Sequence, residues 1–160
     1  MDKKTLIREF CSRLPYGVMV CITEDSTGEE YTCRLVGLDD VYNETYGVLI
    51  TDIALFGINN EVKLYLRPLS SMTEEEIIDF EEKTKFNYYP GHVIYKDIPA
   101  FDNDCTEFST GPDTDHNYRQ IKPEDIIVCI NWLESHHFDY NGLIEKGLAL
   151  EAPEGMYNIK

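Results

Sequence analysis

The chain has 160 residues, of which 42% are hydrophobic and 12% aromatic, enough for a packed core and too apolar for wholesale disorder. Its 14 Lys and Arg stand against 30 Asp and Glu, a net charge of −16 that repels DNA, RNA and anionic lipid and so excludes direct nucleic-acid or membrane-surface binding. No apolar run reaches the ~18 residues of a membrane span, and the opening stretch MDKKTLIREFCSRLPYG lacks the apolar centre of a signal peptide, so a cytoplasmic protein is expected.

Residues 2–14 read as an amphipathic helix, with Leu6, Ile7, Phe10, Cys11 and Leu14 at helical spacing. Pro15 and Gly17 stop it. YGVMVCITEDSTGEEYTCRLVGL reads as a hairpin. Val18, Val20 and Ile22 alternate on the way out, and Tyr31, Cys33 and Leu35 on the return. If Ile22 faces Tyr31, both triplets share one face. DSTG is the turn, with Gly28 free to take positive φ. YGVLITDIALFG supplies a third strand and EVKLYLRP a fourth, with Val62, Leu64 and Leu66 inward. The short connections favour an antiparallel meander over βαβ units.

LSSMTEEEIIDFEEKTKF starts a helix over 74–84. Ser71 with Glu74 and Thr73 with Glu76 both have capping-box spacing, and Ile77, Ile78 and Phe80 make a narrow apolar stripe. Residues 86–121 are expected to be irregular and acidic, with HVIY as a short strand. KPEDIIVCINWLESHH predicts a helix over 123–137 that opens with Pro123. Ile126, Ile130 and Leu133 form its inward stripe, with Trp132 at the stripe's edge. A short helix from Tyr140 to Lys146 follows, ended by Gly147. These elements predict one α+β domain over 1–160: an antiparallel β-meander, mainly from 17–67, covered by three main helices, with a long irregular acidic loop over 86–121. The five cysteines are odd in number and show no C-x-x-C, which points to free thiols.

HHFDY, residues 136–140, concentrates the candidate chemistry. Adjacent histidines on an intact helix diverge by about 100° and cannot share one metal. One reading is structural: His136 and His137 serve a helix C-terminus, and Asp139 caps the next helix. The other keeps His137 and Asp139, which point the same way in an extended segment. They would form a carboxylate–imidazole pair or two metal ligands, completed by His92, His116 or an acid of the long loop. Asp102, Asp104, Asp113 and Asp115 offer oxygens to a hard cation, although their spacing departs from an EF-hand. Cys105 and Ser109 lack a nucleophile elbow, and no phosphate-cradling loop or dinucleotide fingerprint occurs, so the sequence calls for no cofactor.

CSRLPYGV, YLRPLSSMTEEE and WLESHHFDYNGLIEKGLALEAPEGMY resemble segments of a group of small uncharacterised proteins of Bacteroidales and of their phages and mobile elements. The resemblance covers roughly the first eighteen residues, 65–82 and 132–157. It implies a bacterial or phage setting, hence a cytoplasm, and no particular activity. Each motif is a junction between elements, as a preserved scaffold requires. Arg67, between Leu66 and Pro68, is placed to anchor a carboxylate such as Asp139 or Glu145.

Two functional readings follow. The leading one is a small acidic accessory protein of a phage or mobile element that binds a protein partner. Its sub-class is an inhibitor that fills the basic nucleic-acid groove of a host protein, carboxylates standing in for phosphates. The alternative is a small metal- or nucleotide-dependent enzyme or ligand-binding protein using His137, Asp139 and His116.

Overall fold

Alternation of period two places Val18, Val20 and Ile22 on one side of the chain, and the same rule places Tyr31, Cys33 and Leu35. In the computed structural model these triplets face each other across the first strand pair, with Ile22 opposite Tyr31 and Val20 opposite Cys33. The structure describes residues 3–39, 48–57, 61–90, 92–95 and 122–157. The fold is α+β, and the described residues divide into two compact units, one from Met1–Ser71 and Leu133–Lys160, the other from Met72–Trp132.

The first unit is built on a mixed sheet. Its strands are β1 (Met19–Thr23), β2 (Glu30–Asp39), β3 (Val48–Thr51), β4 (Leu55–Gly57), β5 (Glu61–Pro68), and later β8 (Phe138–Asp139) and β9 (Ala149–Glu151). The order is β4-β3-β2-β1-β5, with β8 and β9 both on the far edge of β5. All pairs among β1 to β5 are antiparallel, while β8 and β9 run parallel to β5. The turn between β1 and β2 closes on Gly28, at φ 73, whose N–H donates to the Glu24 carbonyl.

The expected third strand is a hairpin of its own. Thr51 turns the chain by donating its hydroxyl to the Ala54 carbonyl and accepting the Ala54 N–H, so β3 and β4 separate within ITDIALFG. EVKLYLRP is therefore the fifth strand, and it returns to pair with β1 rather than continuing the meander. The parallel additions at 138–139 and 149–151 carry too few residues for a period-two signal.

Helix α1 (Lys3–Arg13) runs into a 3₁₀ turn, Leu14–Tyr16, before β1. Phe10 is its core anchor, packed with Val18, Val20, Ile22, Cys33, Leu35, Leu49, Val62, Leu64 and Leu66. Cys11, expected inward, is exposed, and Arg13 is buried instead. The segment expected as a final short helix, 140–146, makes a single turn. Gly147, at φ 69, donates to the Ile144 carbonyl and Leu148 to the Leu143 carbonyl, a Schellman closure that arrives one turn after the start.

The second unit holds helix α2 (Glu74–Lys83), the hairpin β6 (Phe86–Tyr89) and β7 (His92–Tyr95), and helix α3 (Pro123–Ser135) up to Trp132. Of the two possible capping boxes, Thr73 with Glu76 forms: Thr73 Oγ1 accepts the Glu76 N–H, and the Glu76 carboxylate accepts the Thr73 N–H. Within the segment expected to be mostly irregular, Phe86–Tyr89 pairs antiparallel with His92–Tyr95, the short strand expected at HVIY. The rest of the expected acidic loop lies outside the described residues.

The inward face of α3 keeps only part of the expected stripe. Leu133 is buried together with Cys129 and Trp132, whereas Ile126 is 40% exposed and Ile127 57%. The indole decides this. Trp132 donates Nε1–H to the Asp79 carboxylate at 2.8 Å and meets the Phe80 ring edge-on at 5.0 Å. A large amphipathic ring with a partner for its N–H gains more from the interior than an isoleucine does. Among the described residues, no helix is long and apolar enough to cross a membrane.

Candidate functional site

The polar side chains that the structure gathers lie in the first unit, where β1 and β5 part. Their last paired residues are Val20 and Leu64. One step further, the Met19 N–H donates not to a strand but to the Tyr157 hydroxyl, at 2.9 Å, and that hydroxyl donates to the Tyr65 carbonyl at 2.8 Å. The phenol thus relays a ladder hydrogen bond across the gap and satisfies the Met19 amide and the Tyr65 carbonyl. Burial pushes the Tyr157 hydroxyl up to about 12, against the opposing pull of the Met19 amide and Arg13.

The Tyr157 ring lies under the His137 imidazole, centroids 3.7 Å apart and planes 19° apart. His137 follows the end of α3 at φ 61, the only described non-glycine residue with positive φ. Such a conformation is unfavourable for an L side chain by about 1–2 kcal/mol. It is held from both sides. The His137 N–H donates to the Glu134 carbonyl, and its own carbonyl accepts the Arg67 N–H at 2.8 Å. The imidazole is 5% exposed, and its Nδ1 makes no hydrogen bond. Burial, then the charges of Arg13, His136 and Arg67, pushes its pKa down to about 4, so at neutral pH the ring is uncharged.

Arg13, the last residue of α1, is 0% exposed. Its Nη2 donates to the Phe138 carbonyl at 3.0 Å, and the guanidinium lies 5.4 Å from the centre of the Tyr140 ring. Glu9, one turn earlier on the helix, brings Oε2 to 3.6 Å from Arg13 Nε. Its other oxygen accepts from Asn141 at 2.9 Å. Tyr140 donates in turn to Glu134 at 2.7 Å, and burial, reinforced by that carboxylate, raises the phenol above its ordinary range. A neutralised, buried acid–base pair, tied to the Phe138 carbonyl at one end and to the Asn141 side chain at the other, fixes the angle between α1 and the 138–141 corner.

Asp139 is 8% exposed and spends both oxygens on amides: Oδ1 accepts from Leu143 at 2.9 Å and Oδ2 from Ile144 at 2.7 Å. It therefore caps the single turn from within β8, not from an N-cap position. His137 and Asp139 do not form a carboxylate–imidazole pair, because the carboxylate is turned to the amides and the imidazole to Tyr157. Nor does His137 serve the helix end with its ring; its backbone N–H closes α3. The His136 Nδ1 lies 3.0 Å from Ser135 Oγ, and the ring stacks towards Phe138. Arg67 places its guanidinium 4.4 Å over the Phe138 ring and donates to the Ser71 carbonyl.

His92 is exposed on β7 in the second unit, beside Tyr89. His116, Asp102, Asp104, Asp113, Asp115, Cys105 and Ser109 lie outside the described residues. Among the described residues, no three His, Cys, Asp or Glu side chains gather in a way that could hold a metal ion. The three segments 11–18, 65–76 and 132–157 meet at this cluster through Arg13, Arg67, His137, Phe138 and Tyr157. Sequence reading missed Arg13, Glu9 and Tyr157. The one local signal was the Glu9–Arg13 spacing of four, a pairing distance on a helix. What the arrangement does chemically is hold uncharged and mutually neutralised groups in a dry junction.

No protein-family model, curated protein or solved structure matches the chain.

Proposed function

We propose that this chain is a small acidic accessory protein of a phage or mobile element that acts in a bacterial cytoplasm by binding another protein, one of basic charge. The observation that carries the reading is the pairing of a −16 net charge with apolar side chains left in solvent. A strongly acidic field steers basic partners towards the surface and speeds encounter. Exposed Ile, Val and Leu then supply the contact area that makes a complex persist. The polar cluster at the β1–β5 fork supports the same reading from the other side, because Arg13, Asp139 and Tyr157 are spent on backbone groups.

The basic partner can be a nucleic-acid-binding host protein whose groove this chain occupies, carboxylates replacing phosphates. The test is affinity capture from a Bacteroidales host extract with the intact chain as bait, washed at graded salt. A basic protein retained at low salt, released as salt rises and displaced by competing DNA is the expected result. Capture indifferent to salt, or no partner at all, overturns the reading.

A further inference from the structure

We propose that the exposed apolar face of α3 in the second unit is the docking surface for a basic amphipathic segment of a partner protein; this rests on the protein-binding reading above and names its surface. Ile126, Ile127 and Val128 stand 40%, 57% and 46% exposed in succession. Ile126 adjoins the half-buried Ile130 one turn on, so Ile126, Ile127 and Ile130 make a continuous stripe beside the buried Cys129 and Trp132. Helix α2 of the same unit also leaves an isoleucine in solvent, Ile78, 59% exposed. A single exposed isoleucine calls for no explanation, but a stripe of them on one helix of so small a unit marks a contact surface.

Charge selects the occupant. Residues 72–95 and 122–132 carry eight carboxylates against three lysines. Lys83 and Lys85 neutralise Asp79 and Asp125. Glu74, Glu75, Glu82 and Glu124 remain exposed without an ion pair among the described residues. A second copy on this surface would set like charges face to face, and an anionic membrane or a nucleic acid meets the same repulsion. A helix with an apolar stripe and lysines or arginines along its flanks suits both features, apolar side chains on the isoleucines and cations facing an acidic unit.

The experiment uses the full chain and two labelled synthetic peptides of identical leucine and lysine composition, one ordered to form an amphipathic helix and the other scrambled. Fluorescence anisotropy should show the amphipathic peptide binding at least about tenfold more tightly than the scramble, weakening as salt rises. Ile127→Ser should remove that preference with an unchanged melting curve, and Ile126→Gln should do the same if the first variant proves unstable. Equal affinity for both peptides, or a preference that survives both substitutions, overturns the proposal. So does an Ile127-dependent dimer in sedimentation, which would make the occupant a second copy. If Ile127→Ser leaves salt-sensitive capture of the native partner intact, the surface assignment falls while the protein-binding reading stands; if the unaltered chain captures nothing, both fall.

Discussion

At the fork between β1 and β5, Glu9, Arg13, Glu134, His137 and Asp139 are all 8% exposed or less, whereas on α3 three consecutive branched apolar side chains are 40% exposed or more. The two regions invert the usual rule in opposite directions, and for different reasons. The fork is where strands part and the chain reverses, so backbone groups there need partners that regular pairing no longer provides. Arg13, Asp139 and Tyr157 supply them, giving hydrogen bonds to the Phe138 carbonyl, to two amides, and across the Met19–Tyr65 gap. Helix α3 has the opposite difficulty. Its unit offers Phe80 and Asp79 as partners for Trp132, and once the indole is placed, the neighbouring isoleucines point elsewhere. Buried polarity in this protein is thus a consequence of topology, and exposed apolar surface a consequence of one aromatic side chain's preference.

The sharpest way to break the comparison is to remove the buried cation. Arg13→Met should cost about 3–5 kcal/mol in denaturant unfolding, because Glu9 is left charged in a dry site and the Phe138 carbonyl loses its donor. Adding Glu9→Leu should recover part of that loss, since an apolar pair needs no partner. A double variant no more stable than Arg13→Met would mean that the ion pair is not what holds the fork.

Titration gives the next largest effect. The folded-state pKa of His137, about 4, lies below its ordinary 6.5, so between these values the unfolded chain binds the additional proton. Stability from this group is fully present above pH 6.5 and falls with a limiting slope of about 1.4 kcal/mol per pH unit as pH drops towards 4. His137→Asn keeps a residue that tolerates positive φ and does not titrate. The difference between the two proteins' melting curves should therefore vanish in slope above neutrality and grow below it. Parallel pH profiles would show that the imidazole is not buried neutral.

A smaller effect tests the cap. Asp139→Ala should cost about 0.5–2 kcal/mol, the range for a lost helix-end acceptor. Asp139→Asn should fall between alanine and the native residue. Its one carbonyl oxygen can serve the Leu143 or the Ile144 amide, and its NH₂ then faces the other. Asparagine as stable as aspartate would mean that only one of the two bonds contributes.

Local rules read the parts of this fold that are local. The period-two triplets of β1 and β2, the Gly28 turn and the Thr73–Glu76 capping box each depend on residues a few positions apart, and each forms as expected. The return of β5 to β1 and the parallel β8 and β9 depend on long-range pairing and leave no periodic trace in two or three residues. At the candidate site the spacing of His137 and Asp139 suggested a pair, but orientation depends on Tyr157, twenty residues on, and on amides that the sequence does not mark. Arg13 illustrates the same limit: a cation at the end of a helix ordinarily faces water, and only a carbonyl 125 positions away takes it inside.

The smallest expected effect separates the two regions most directly. With five apolar residues among 126–130, periodicity cannot say which half of α3 faces inward, and it allows a stripe through Ile126, Ile130 and Leu133. The structure buries Leu133 and Trp132 and leaves Ile126 in solvent. Trp132→Ala should then cost about 3–5 kcal/mol, as for a core aromatic. Ile127→Gln should change stability by no more than about 0.5 kcal/mol, since the residue stays 57% exposed in the folded chain, and glutamine forms helix at least as well as isoleucine. The fork offers fewer such positions: Arg13, Glu9, Asp139 and Tyr157 each carry a bond that a substitution removes. If Ile127→Gln were to destabilise the protein as much as Trp132→Ala, the isoleucine would be core, α3 would be turned the other way, and the contrast between a polar interior at the fork and an apolar surface on α3 would disappear.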